Sequence, residues 1–133
     1  MDFETLTETE PTTITGVAFV SVYVDNFKEA FNFYTGLLDL TVQYEMGEEA
    51  CFFAVGAESG LYLEGGHRYH QVDPLTSRST FTLAVPSASA LFEKLHSAGV
   101  RMIDKAPRKV GEGRYWFQFL DTSGNIIEAF GEE

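Results

Sequence analysis

Residues 16–40 read GVAFVSVYVDNFKEAFNFYTGLLDL, and their patterning decides the fold. The stretch opens by alternating: Val20, Val22 and Val24 fall on one side, Phe19, Ser21 and Tyr23 on the other. A period of two predicts a strand whose two faces meet different neighbours. The period then changes. Phe27, Ala30, Phe31 and Tyr34 recur at i, i+3, i+4 and i+7, the apolar stripe of an amphipathic helix. Asp25 or Asn26 can cap its first turn, Glu29 sits where a reciprocal contact is expected, and Gly36 suits the stop. The reading is a strand that feeds a helix folding back onto the valine face.

The plan occurs twice. Residues 79–103, STFTLAVPSASALFEKLHSAGVRMI, repeat it at an offset of 61 residues, Val20 falling on Phe81. Phe81, Leu83 and Val85 replace the valines, and Ala88, Leu91, Phe92 and Leu95 carry the stripe. Ser87 caps this second helix and Gly99 ends it. Identities differ while both periods survive, as in two copies of one supersecondary unit.

Between the repeats, Thr41 to Met46 and Ala50 to Val55 read as strands around the turn Gly47-Glu48-Glu49, and Leu61 to Glu64 as a third. Residues 66–78, polar and containing a proline, read as a linker. In the second unit, Val100 to Asp104, Arg114 to Leu120 and Ile126 to Phe130 are the expected strands, with Lys105 to Gly113 a basic loop. The expected organisation is an acidic, flexible arm (1–15) and one domain (16–131). That domain divides into module 1 (16–65), linker (66–78) and module 2 (79–131).

With both helices on one side of the strands, the opposite face is a lined cavity or is covered. Alternation puts Phe19, Ser21, Tyr23, Tyr62 and Glu64 on that face from the first unit. From the second come Thr80, Thr82, Ala84, Ile126, Glu128 and Phe130, joined by Trp116 and Gln118. Aromatic walls, hydroxyls and carboxylates are too mixed for a surface that only packs a core.

Composition narrows the partners. A net charge of −11 argues against nucleic acid, which needs a basic footprint, and permits a cationic ligand. The apolar runs fall well short of the roughly 18 residues of a membrane span, and no secretory leader is visible. The single cysteine, Cys51, allows no intrachain disulfide and reads as a buried thiol, which fits a cytoplasmic setting. His67 and His70, near Asp73, have the spacing of a metal pair but fall in the linker, so a solvated loop away from the cup is expected. His96 reads as a favourable charge at a helix C-terminus.

The two βαβββ units, the opening VYVDNFKEAFNFYTGLLDL and the closing FLDTSGNIIEAF resemble the glyoxalase/bleomycin-resistance/dioxygenase group, the vicinal-oxygen-chelate superfamily. The resemblance spans residues 16–131. It implies an α+β fold in which two βαβββ modules form a cup-shaped, mostly antiparallel eight-stranded sheet with helices on the convex side, often in a homodimer. It also implies a divalent metal held in the cup by His, Glu or Gln from the first and last strands of each unit. Carried over, those positions fall on Phe19, Tyr62 (or Glu64 after a slip of register), Thr80 and Glu128. Only Glu128 is an ordinary ligand there, too few for zinc, nickel or iron. The expectation is therefore a metal-independent protein without a cofactor, sequestering a small aromatic or cationic natural product, as in antibiotic resistance. Its ligand contacts are Phe19, Ser21, Tyr23, Tyr62, Glu64, Thr80, Thr82, Trp116, Gln118 and Glu128. The alternative is a glyoxalase- or dioxygenase-like lyase, isomerase or oxygenase with atypical metal ligands. In a metal-free variant of that alternative, Glu128 is the catalytic base, its pKa raised by an aromatic cup. A cup filled by its own side chains, serving assembly only, is the third.

Overall fold

The computed structural model describes residues 13–14, 16–68 and 79–133. The rest of the N-terminal arm, His70, Asp73 and most of the linker lie outside the described residues.

The repeat is realised as two like units. The first runs β1 (Val20–Tyr23), α1 (Phe27–Asn32), a π-helical turn (Phe33–Leu37), β2 (Thr41–Glu45), β3 (Ala50–Val55) and β4 (Ser59–Glu64). The second runs β5 (Ser79–Ser87), α2 (Ala88–Ser97), β6 (Arg108–Gly111), β7 (Arg114–Leu120) and β8 (Ile126–Glu132). This is the expected α+β fold with eight strands. Hydrogen bonding divides the strands into two four-stranded sheets, ordered β1-β4-β3-β2 and β5-β8-β7-β6. In each, the first strand pairs parallel with the last and the other pairs are antiparallel.

Local chemistry sets the boundaries. Asn26 caps α1, its side chain accepting from the Glu29 N–H at 3.0 Å, and Ser87 caps α2 through the Ala90 N–H at 3.1 Å. Gly99 closes α2 with φ of +83°. Gly36 does not stop the first helix as expected. The chain widens into the π turn, whose last N–H, from Leu38, bonds back to Phe33, and the left-handed residue is Asp39. The strand expected over Val100–Asp104 reduces to one bridge, Met102 to Phe119, because the fourth strand of that sheet is built from the basic segment instead. Arg108 to Gly111 pairs with β7 there, so that segment is not all loop.

The core lies between the sheets and the helices. Val22, Val24, Phe53, Leu61 and Leu63 are buried with Ala30, Phe33 and Tyr34, and continue into Phe117, Phe119, Ile127 and Ala129 under Phe92 and Leu95. Cys51 belongs to it; burial, and behind it the charge of Glu45, push its thiol up to about 11. It is a core side chain held in the inert thiol form.

The β7–β8 turn fastens the second unit to the first. Asp121 is buried and accepts the Tyr34 hydroxyl at 2.8 Å and the Asn125 side-chain amide at 2.9 Å on one oxygen. Its other oxygen accepts the N–H groups of Ser123 (2.8 Å) and Asn125 (2.9 Å). From the same turn, Ser123 Oγ accepts the Asp25 N–H at 2.8 Å, and Asn125 donates to the Tyr23 carbonyl at 3.0 Å. Burial, then the Asp121 charge and hydrogen bond, raise the Tyr34 phenol well above its ordinary value, so it remains a donor.

Candidate functional site

The face of the first sheet turned away from α1 forms a hollow of about 540 Å³ lined by Phe19, Ser21, Tyr23, Tyr44, Met46, Phe52 and Tyr62. Strand register builds it. Ser21 pairs with Tyr62, Tyr62 with Phe52, and Phe52 with Tyr44, giving one rung across all four strands with three rings side by side. Phe52 is central: its ring meets Phe19 edge-on at 5.2 Å and Tyr44 at 6.2 Å. It leans over Gly60, where an added Cβ would come within 2.3 Å of the ring. Glycine at 60 therefore lets the ring lie along the floor. Five aromatic side chains, one methionine and one serine leave the lining without a charge.

Alternation places Phe19, Ser21, Tyr23 and Tyr62 here, and the structure brings them together. Tyr44, Met46 and Phe52 also line the hollow and were not expected. A bulge explains Tyr44: Val42 opposes Phe53 on the core face, yet Tyr44 opposes Phe52 on the open face, because the register shifts between them. Within ACFFAV, a nearly continuous apolar run, nothing in sequence says which phenylalanine points outward.

The second-sheet candidates form a separate, hydrogen-bonded cluster. Thr82 Oγ1 donates to Glu128 Oε1 at 2.6 Å and Gln118 Nε2 donates to Oε2 at 3.0 Å. Thr80 turns its hydroxyl to the Ile126 carbonyl at 2.8 Å. Trp116 carries the Arg108 guanidinium over its ring at 4.3 Å, and Arg108 pairs with Asp104 at 3.1 Å. With Arg114 on Glu132 at 3.4 Å, two of the basic residues in this segment face neighbouring acids. For Glu128 the expected upward shift is reversed. Partial burial does act to raise it, but hydrogen bonds from Thr82, Trp116, Gln118 and Ser79 outweigh that and hold the acid below the usual carboxylate range. A carboxylate stabilised this way is a weak proton acceptor.

His67 is not held away from the cup as expected. Gly66, with φ of +84°, turns the chain so that the His67 N–H reaches the Val24 carbonyl at 2.9 Å, prolonging the β1–β4 edge. Its ring meets Tyr23 at 4.8 Å, and its Nε2 lies 2.7 Å from Glu64 Oε2. Tyr62 donates its hydroxyl to the other oxygen of Glu64. The glycine pair at 65–66 was the available signal; it reads equally well as the start of a linker.

At the four positions where the resemblance puts metal ligands, Phe19 offers no donor, the Tyr62 hydroxyl is given to Glu64, and that of Thr80 to a carbonyl. Glu128 accepts a hydrogen bond on each oxygen. Among the described residues no group of three or more His, Cys, Asp or Glu gathers to hold a metal ion.

Fold and site thus define a two-module α+β protein with an open aromatic face on its first sheet. The model of the glyoxalase/bleomycin resistance protein/dioxygenase superfamily matches residues 16–129, and the chain belongs to that superfamily. Among solved structures it is similar to the fosfomycin resistance protein FosX from Listeria monocytogenes, with TM-score 0.70, 18% identity, and 91% of this chain and 94% of that one covered. It is likewise similar to lactoylglutathione lyase from Agrobacterium tumefaciens (TM-score 0.67, 14% identity, 89% and 94% covered) and to UcmS2 (0.70, 20%, 89% and 98%). At these identities the likeness is one of fold. No curated protein sequence matches significantly. No helix among the described residues is long and apolar enough to cross a membrane.

Proposed function

We propose that this protein binds a small, flat organic molecule in the hollow of its first sheet, by stacking and without a metal. The observation that carries the reading is the lining itself, five aromatic rings with no charged side chain. Its volume of about 540 Å³ falls within the usual range of small-molecule sites, roughly 300–1,000 Å³. Such walls favour aromatic ligands and also cations, which ring faces attract. The donor chemistry at Phe19, Tyr62, Thr80 and Glu128 does not fit the superfamily's metal, and no step of the proposal runs through one. Sequestration of an aromatic or cationic natural product, as in antibiotic resistance, is the role this site suits. The proposal includes a cytoplasmic homodimer. Supporting it are the single buried thiol and the exposed Val17, Val110 and Phe130 outside the hollow.

Phe19→Ala combined with Phe52→Ala tests the site. Titration with 2-naphthol and with the cationic 9-aminoacridine should show affinity lost by about 30–100-fold, the ~2–3 kcal/mol expected for two ring contacts. Unchanged affinity for both probes would place binding elsewhere.

A further inference from the structure

At one end of the hollow two side chains share a single carboxylate. Tyr62 donates to Glu64 Oε1, and His67 Nε2 lies 2.7 Å from Glu64 Oε2. Tyr23, whose ring touches His67, lines the hollow together with Tyr62. The hydrogen bond from Tyr62, then that from His67, lowers the Glu64 acid, and the same contact with Glu64 raises the Tyr62 phenol. Glu64 is thus an acceptor on both oxygens. A carboxylate at Nε2 requires the imidazole proton to be there, which leaves the lone pair of a neutral ring on Nδ1. Among the described residues nothing donates to that nitrogen.

We infer that His67 is the polar anchor of the hollow: its Nδ1 accepts a hydrogen bond from the ligand and so selects flat molecules bearing a hydroxyl or N–H at the Tyr23–Tyr62 end. Glu64 is the positioning residue, fixing which ring nitrogen can accept. The inference rests on the hollow being the binding site. An uncharged aromatic lining holds any flat molecule; a single oriented acceptor distinguishes a phenol from its methyl ether, since burying the acceptor against an ether leaves it unpaired.

The test pairs 2-naphthol with 2-methoxynaphthalene at pH 8. Wild type should bind 2-naphthol about tenfold more tightly, the worth of roughly one hydrogen bond. His67→Leu should erase that preference and leave 2-methoxynaphthalene within about twofold. Glu64→Gln should reduce the preference without abolishing binding. Independently, ¹⁵N spectra of histidine-labelled protein without ligand, assigned against His67→Leu, should show Nε2 protonated and Nδ1 bare. Equal binding of both probes by wild type and His67→Leu would overturn the inference and leave the hollow standing, as would a proton on Nδ1. Failure of both probes to bind would overturn the hollow and the inference together.

Discussion

Asp121→Ala is expected to destabilise the protein by about 3–5 kcal/mol, the largest effect of any single side-chain deletion here. Asp121 is only 6% exposed and accepts four hydrogen bonds within its turn and from Tyr34. Alanine leaves all four donors without that acceptor, and the fully buried Tyr34 hydroxyl gains no water in exchange. An unmade bond to a buried group costs more than the bond contributes when made. The turn is also the fastening between the units, through Ser123 to Asp25 and Asn125 to Tyr23, so its collapse reaches the strand that carries two walls of the hollow. Tyr34→Phe removes the other end of the central bond and should cost less, about 1–3 kcal/mol. Because the two side chains share that bond, the double variant should be more stable than the summed losses imply. Urea unfolding reads these values directly; a loss below about 1 kcal/mol for Asp121→Ala would mean that the turn does not fasten the units.

Gly131→Ala is the second large effect, and its cause is steric. A Cβ at Gly131 would lie 2.0 Å from the Val85 carbonyl oxygen, a backbone atom of the paired strand β5. No rotamer relieves a clash between backbone and Cβ, so β5 and β8 must separate where Val85 pairs with Gly131. The expected cost is about 2–3 kcal/mol, or roughly 10 °C in Tm for a domain of this size. Far-UV spectra should stay native at low temperature, since the remaining rungs are untouched. A Tm within about 2 °C of wild type would show that the ladder yields locally.

The fold was largely legible because periodicity reports which face of an element is buried. Val22 and Val24, Leu61 and Leu63, and the stripe from Ala30 to Tyr34 all lie where their spacing put them. What alternation could not carry was any departure from it. The bulge before Tyr44 moved that ring to the open face, and Phe52 was hidden beside Phe53. The repeat likewise said nothing of the Tyr34–Asp121 fastening, since the position matching Tyr34 in the second unit is Leu95. His67 was missed for a different reason. Its place depends on Gly66 adopting a left-handed conformation, and a glycine in sequence permits that conformation without requiring it. Alternation put Glu128 and Thr82 on one face, but the acidity of Glu128 is set by neighbours on the two strands flanking its own, β5 and β7, which no local pattern contains.

On the proposed reading, the open face is an aromatic site and not a metal centre. Elemental analysis tests it most directly, after incubation with zinc, nickel, manganese or anaerobic iron(II) and buffer exchange, in parallel with 2-naphthol titration in a chelator. Far less than one metal ion per chain is expected, with an affinity the chelator does not change. Near-stoichiometric metal that disappears in Glu128→Gln, with binding lost in the chelator, would contradict that reading.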